Sequence, residues 1–428
     1  MEFAEIAALF KCNKCGSCTS VCPLYQNTVH EGMAARGKVA LLEAVADGRL
    51  EAGEGVRAKL EDCLLCGACA ANCPSFVPTT DLFLEARAGL AKELGLPLAI
   101  RMLLKALSIP GALAVGTPGL YLAHRLGLPQ LANGPLGEKL PPTIRAALRA
   151  MPPAPLRSFR TQAGKLPTNG DGRRGTVGHF AGCFMNWGYA NAAMATRTML
   201  VRGGFRVEVP DVVCCGVPHR AYGDIETARD LARKNIVALE KYDHVVSDCA
   251  SCGAALKEYK HLLKDDPEYR ERAETLAGRA ADVSEFLVKH EFPRPQFHAP
   301  LRVTYHDPCH LVRGQGVKSQ PREILKSIPG VEYVEMNGAD VCCGAAGSFC
   351  VTHPELSEGV GGNKADSILE TKADVVVSGC PSCLTQLKAM LAAKGSKIKV
   401  MHPMELLAES YKKNEPQSLH ASHASALA

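Results

Sequence analysis

Cysteine is the residue type here that can do chemistry, since its thiolate is both a soft metal ligand and a redox centre. Nineteen of the 428 residues are cysteine. Eight of them fall into two runs of identical spacing, Cys12-x-x-Cys15-x-x-Cys18-x-x-x-Cys22-Pro23 and Cys63-x-x-Cys66-x-x-Cys69-x-x-x-Cys73-Pro74. Three thiolates two residues apart can wrap a tight loop around three irons of one cubane. The fourth, followed by a proline that cannot continue the loop, reaches the other cluster. This assigns Cys12, Cys15, Cys18 and Cys73 to one [4Fe–4S] cluster, and Cys63, Cys66, Cys69 and Cys22 to a second. Two zinc sites are the competing reading. Zinc takes its four ligands in two pairs, however, and gives no reason for a third evenly spaced thiolate or for two Cys-Pro endings.

Ten further cysteines form two sets of five: Cys183, Cys214, Cys215, Cys249 and Cys252, then Cys309, Cys342, Cys343, Cys380 and Cys383. Five thiolates exceed what one zinc or one cubane uses. The expectation is one or two further iron–sulfur centres, each a cluster with more than four thiolate ligands, non-cubane in form, or a cubane beside a redox-active thiol. A catalytic disulfide at each Cys-x-x-Cys pair is the alternative. Cys350 lies outside both sets and reads as a buried free thiol, while His219, His306 and His310 stand near the proposed sites as hydrogen-bond donors or as structural histidines.

The elements that must hold these residues can be read from periodicity. Residues 1–95 form a helical, ferredoxin-like domain, in which Gly37 to Leu50 has Val39, Leu41, Leu42 and Val45 spaced for one helical face. Residues 96–175 lack cysteine and read as a helical, Pro-rich connector. The remainder is an internal repeat: Cys183, Cys214-Cys215-Gly216 and Cys249-x-x-Cys252 recur as Cys309, Cys342-Cys343-Gly344 and Cys380-x-x-Cys383, at offsets of 126, 128 and 131 residues. Repeats at 176–299 and 300–410 are expected, followed by a polar tail at 411–428. Each opens on a strand-like run (Val177 to Ala181; Leu301 to Tyr305) and has another before its last pair (His244 to Val246; Val375 to Val377), with helices such as Asn191 to Arg202 and Asp224 to Leu239 between. Such alternation predicts parallel α/β units with the cysteines beyond the carboxyl ends of the strands. The fold class is thus α+β and multidomain, a helical 2[4Fe–4S] domain followed by two tandem α/β repeats.

Composition excludes other classes. A net charge of +5 without a basic block argues against nucleic-acid binding, and 46% hydrophobic residues supply an ordinary globular core. With clustered thiols and no apolar leader read at the start, a cytoplasmic location is expected. Ala106 to Ala123 carries no formal charge, but Pro110-Gly111 and Pro118-Gly119 are expected to break a spanning helix twice. A buried or subunit-facing hairpin is expected there, with docking on the cytoplasmic face of a membrane as the second option. Gly359 to Lys364 reads as a loop entering a helix, and no G-x-G-x-x-G fingerprint follows a strand, so the chain is expected to bind neither NAD nor FAD.

The double four-cysteine motif, Arg36-Gly37-Lys38, Cys214-Cys215-Gly216, His306-Asp307-Pro308-Cys309-His310, Gly314-Gln315-Gly316 and Cys342-Cys343-Gly344 resemble one family over nearly the whole chain. It is the cysteine-rich (CCG) domain family, which includes iron–sulfur subunits of glycolate oxidase and lactate dehydrogenase and catalytic subunits of heterodisulfide reductase. The resemblance implies an FAD-containing dehydrogenase partner that oxidises lactate or glycolate. It also implies electron delivery to a quinone, a cytochrome or another carrier, with the isolated chain inactive on the hydroxy acid. The complete pairs Cys249/Cys252 and Cys380/Cys383 look more like the heterodisulfide reductase branch, so a disulfide-reducing catalyst is the alternative implied.

Overall fold

The computed structural model describes residues 11–109, 111–153, 155–164, 173–295 and 300–411. Pro110 and the expected polar tail from residue 412 onward lie outside them.

The first cysteine runs sit on a small helical core. Helices Ala35–Ala46, Glu54–Glu61 and Thr79–Leu94 bury Val39, Leu42, Leu60, Leu82, Phe83 and Leu90 against one another. Each such side chain contributes about 1.5–3 kcal/mol by leaving water. Arg87, itself buried, donates to the carbonyls of Leu60 (2.6 Å) and Cys63 (3.0 Å) and to that of Ala221 (2.9 Å) in the first repeat. It therefore fixes a cysteine loop and fastens that loop to the α/β half.

The repeats have one topology twice. Strands β1 (Thr176–Phe180), β2 (Arg206–Glu208), β3 (His244–Ser247) and β4 (Ala280–Asp282) form an all-parallel sheet in the order β2-β1-β3-β4. Strands β5 (Leu301–Tyr305), β6 (Val331–Tyr333), β7 (Val375–Val377) and β8 (Lys399–Met401) repeat it as β6-β5-β7-β8. The sheets share a core in which Val177, Phe205 and Phe286 of one pack with Val303, Tyr305 and Ile324 of the other. Helix exchange is reciprocal: Val283–Lys289 packs on Ser319–Ser327, and Pro403–Glu409 packs on Ala190–Arg202.

Three expectations need correction. Gly359 to Lys364 is not a loop but the middle of helix Pro354–Glu370. Its glycines serve close packing, since a Cβ at Gly361 would come within 2.7 Å of the Gln386 amide, and one at Gly359 would collide with Asn27. Ala106 to Ala123 breaks once rather than twice. Helices Leu98–Ser108 and Ala112–Arg125 meet at a 104° bend, and Pro118 stays inside the second, where its missing N–H costs one ladder bond without ending the helix. Nor is the hairpin buried within the chain: Val115 is 85% exposed, and Met102, Leu122 and Leu126 are more than half exposed. Among the described residues no single helix is long and apolar enough to cross a membrane.

Candidate metal centres

The two four-cysteine loops share a backbone pattern. Lys14 and Gly16 in the first, and Leu65 and Gly67 in the second, all have positive φ. A left-handed residue on each side of the middle cysteine curls the chain so that successive thiols converge on one point. Arg36 braces the first loop by donating to the Lys14 carbonyl (3.2 Å) while paired with Glu31. A Cβ on the next residue, Gly37, would collide with the Glu31 carbonyl.

Two concavities lie under these loops. One, of about 430 Å³, is lined by Cys63, Cys66 and Cys69 together with Cys22 from the other run. The second, of about 370 Å³, is lined by Cys12, Cys15 and Cys18 together with Cys73, and by Cys69, which lines both. Burial, and then the thiols of Cys66 and Cys63, push Cys22 up to about 11. Burial pushes Cys69, whose Sγ lies 3.0 Å from the Thr79 hydroxyl, up to about 12. Such thiols ionise at neutral pH only if a cation compensates them. Lys38 lies in the field of Cys63 and Cys22, buried, with its Nζ on the Gly32 carbonyl at 2.6 Å.

In each repeat the thiols gather where the strands end. Cys183 begins the helix after β1, and Cys249 caps the helix after β3; Cys309 and Cys380 do the same after β5 and β7. With strand order β2-β1-β3-β4 the crossovers from β1 and β3 leave on opposite sides, which opens a crevice beyond their carboxyl ends. The adjacent pairs Cys214-Cys215 and Cys342-Cys343 turn into it through Gly216 (φ 87°) and Gly344 (φ 84°). A Cβ on Gly344 would stand 2.8 Å from the Ser357 carbonyl.

These thiols form one continuous line. Cys183 faces Cys214, and Cys215 faces Cys252. Cys249 then faces Cys380 across the boundary between repeats, and Cys383 faces Cys343. Cys309 faces Cys342, which also faces Cys66 of the N-terminal half. Within this line Cys215 and Cys343 are held well below the ordinary thiol range by the thiols that donate to them, while their donors Cys252 and Cys383 are pushed up. No disulfide joins any of the cysteines. Dense, buried sulfur of this kind suits a metal core, which supplies the positive charge that lets every thiolate ionise together.

Polar side chains hold the line in place. Asn235 and Tyr259 bind the carbonyls of Cys214 and Cys215, each at 3.0 Å. Ser251 of the first repeat lies 2.8 Å from His310 and 3.7 Å from Cys380 of the second. The Ala250 N–H donates to the Gly379 carbonyl at 3.0 Å. Its counterpart in the second repeat, Pro381, has no N–H to return, and His402 meets the Asp248 carbonyl instead, at 3.0 Å. His219 turns away from the thiols to Ser108 (2.8 Å) and the Leu104 carbonyl, a structural role. His306 faces Cys343 and Cys383, and burial pushes it down to about 3. Cys350 is partly rather than fully buried, its Sγ on the Gly347 carbonyl at 3.4 Å.

Lys364 is a further residue of the site that the sequence reading missed. Its Nζ bonds the Gly338 carbonyl at 2.6 Å beside Cys342 and Cys343, and burial pushes it down to about 8. The signal was available: Val360, Lys364 and Ile368 fall at i, i+4 and i+8, a cation on an apolar helical face.

Comparison with known proteins agrees with this geometry. The family described as "4Fe-4S dicluster domain" matches residues 8–77, and the "Cysteine-rich domain" family matches residues 177–257 and 303–388. The "Probable glycolate oxidase iron-sulfur subunit" of Bacillus subtilis (strain 168) is 34% identical over 96% of this chain and 95% of its own length. This chain belongs to the CCG-domain family of iron–sulfur subunits. Another member, a subunit of the fumarate reductase (CoM/CoB) of Methanothermobacter marburgensis, is 34% identical over 96% of this chain and 74% of its own length. "Lactate utilization protein A" of Geobacillus thermodenitrificans is 34% identical over 54% of this chain and 98% of its own length. As a member of this family the chain is an iron–sulfur subunit of an oxidoreductase. The converging thiols and the buried cations beside them fit such clusters.

Proposed function

We propose that the chain is the electron-transfer subunit of a flavin-dependent 2-hydroxy-acid dehydrogenase, acting on lactate or glycolate, with FAD on a partner subunit. The single observation that carries this reading is the unbroken line of thiols from the concavity containing Cys66, through Cys342, to both repeats. Oxidising a hydroxy acid to a keto acid releases two electrons as a hydride, which suits a flavin, whereas iron–sulfur centres exchange electrons singly. The residues of this chain would hold such centres in sequence, exclude water from those of the repeats through the apolar clusters in which Cys215, Cys249, Cys252, Cys343, Cys380 and Cys383 are packed, and offset their negative charge with Lys38 and Lys364. In this proposal the N-terminal domain (1–95) ligates its clusters as the two runs suggest, and each repeat (176–299 and 300–410) ligates one more.

The intact pairs Cys249/Cys252 and Cys380/Cys383 favour a second reading, disulfide chemistry at the repeats. Purification of the native complex separates the two. The first reading expects a co-purifying flavoprotein, FAD in the extract and dye reduction by lactate or glycolate. A complex without flavoprotein that reduces a disulfide substrate instead would establish the second.

On the acceptor side, a quinone or a membrane cytochrome would be met at the cytoplasmic face of a membrane, through the exposed hairpin. Its Met102, Val115, Leu122 and Leu126 are flanked by Arg101, Lys105 and Arg125, and Glu138 is the one acidic residue between 96 and 157. An apolar face rimmed by cations suits an anionic bilayer surface. The full chain should co-sediment with vesicles containing phosphatidylglycerol and much less with pure phosphatidylcholine. Met102→Asp/Leu122→Asp should abolish the difference, and binding unaffected by that double change would rule the hairpin out.

A further inference from the structure

The two repeats are not equivalent at one position that faces the thiols. Cys183 corresponds to Cys309, so Phe180 and His306, each three residues earlier, occupy the same place at the carboxyl ends of β1 and β5. Both are buried, at 0% and 1% exposure. Phe180 fills its place with hydrocarbon, which shows that the fold does not need a polar group there. His306 places an imidazole at the same point, and neither of its ring nitrogens has a hydrogen-bond partner. An unpaired buried polar group gives up its hydration with no return, so an imidazole here is costly unless it bonds to something. A ring nitrogen of His306 and the Sγ atoms of Cys343 and Cys383 all lie within 4.8 Å of one another. Metal bonds of about 2.0–2.3 Å to nitrogen and sulfur draw three donors to that spacing with small adjustments.

We propose that His306 is a ligand of the second-repeat metal centre, giving one ring nitrogen beside Cys343 and Cys383, whereas the first-repeat centre has sulfur donors alone. The proposal rests on the reading that the repeats hold iron–sulfur centres. A neutral imidazole gives less negative charge to iron than a thiolate, and nitrogen ligation raises a cluster's reduction potential. Lys364, held on the Gly338 carbonyl beside Cys342 and Cys343, acts in the same direction. The second-repeat centre is then the more easily reduced of the two, and it is the one next to Cys66 of the N-terminal half.

The test uses the full chain, assembled anaerobically with iron and sulfide and labelled with [15N]histidine. Pulsed EPR of a paramagnetic state should show a nitrogen coupling of directly bound size that changes with the label. His306→Phe, which copies the first repeat, should lose that coupling together with part of the second-repeat iron. His306→Cys should keep the iron, lose the coupling and lower that centre's potential, and it carries the test if the phenylalanine variant does not fold. A coupling that survives both variants, as one from His310 would, overturns the proposal, as does iron in the repeats with no histidine coupling. Iron confined to the N-terminal half overturns the parent reading as well, and the iron count distinguishes that case.

Discussion

A Cys22→Ser chain is expected to lose about four irons, and to lose them from the cluster whose other thiolates come from Cys63, Cys66 and Cys69. Cys22 is 41 residues from Cys63 in sequence, yet it lines the same concavity, whereas its neighbour Cys18 lines the other. Its raised thiol pKa comes first from burial and then from Cys66 and Cys63, so these are the charges it meets. A serine oxygen is a harder and more weakly ionised donor than sulfur, and iron–sulfur centres favour soft ligands. Because Cys66 also faces Cys342, the same change should cut the route between the N-terminal half and the repeats. Iron analysis and EPR of the reduced protein measure both effects. Cys73→Ser should reverse the pattern, depleting the cluster of Cys12, Cys15 and Cys18. A Cys22→Ser spectrum altered only in that latter cluster would show that each run binds its own cubane alone.

Mixed by itself with lactate or glycolate, the chain is expected to stay oxidised; with the flavoprotein partner added, its visible absorbance should bleach on the timescale of turnover. The argument rests on electron count. A hydride must be accepted whole before it is divided, and thiolate-ligated iron does not accept one. The effect is therefore close to all-or-none rather than a change of a few-fold. Anaerobic stopped-flow mixing with each hydroxy acid, with and without partner, measures it directly. Bleaching by the hydroxy acid without partner would place hydride chemistry on this chain, and bleaching by neither would remove both substrates from the proposal.

Much of this architecture was legible in the chain itself. Spacing alone marked the two four-cysteine runs, because a loop around a cubane admits few spacings. The strand starts of both repeats were readable because parallel strands buried on both faces leave apolar runs such as Val375-Val376-Val377. What the sequence could not contain was which atoms of distant segments meet. Pairing of Cys249 with Cys380, and of Cys66 with Cys342, depends on how two sheets share a core and where Arg87 fastens the N-terminal helices. The helical glycines of 359–362 carry the same local signal as a loop, and only packing against Asn27 and Gln386 tells them apart. The stretch Ala106 to Ala123 was readable as apolar, but its exposure was not, since periodicity reports which residues share a face and not what covers it. The positions of the thiols and their order along the chain are local, and the sequence by itself determines them. The line that joins them, and the burial of Lys364 and His306 beside it, come from long-range packing, which only the tertiary structure decides.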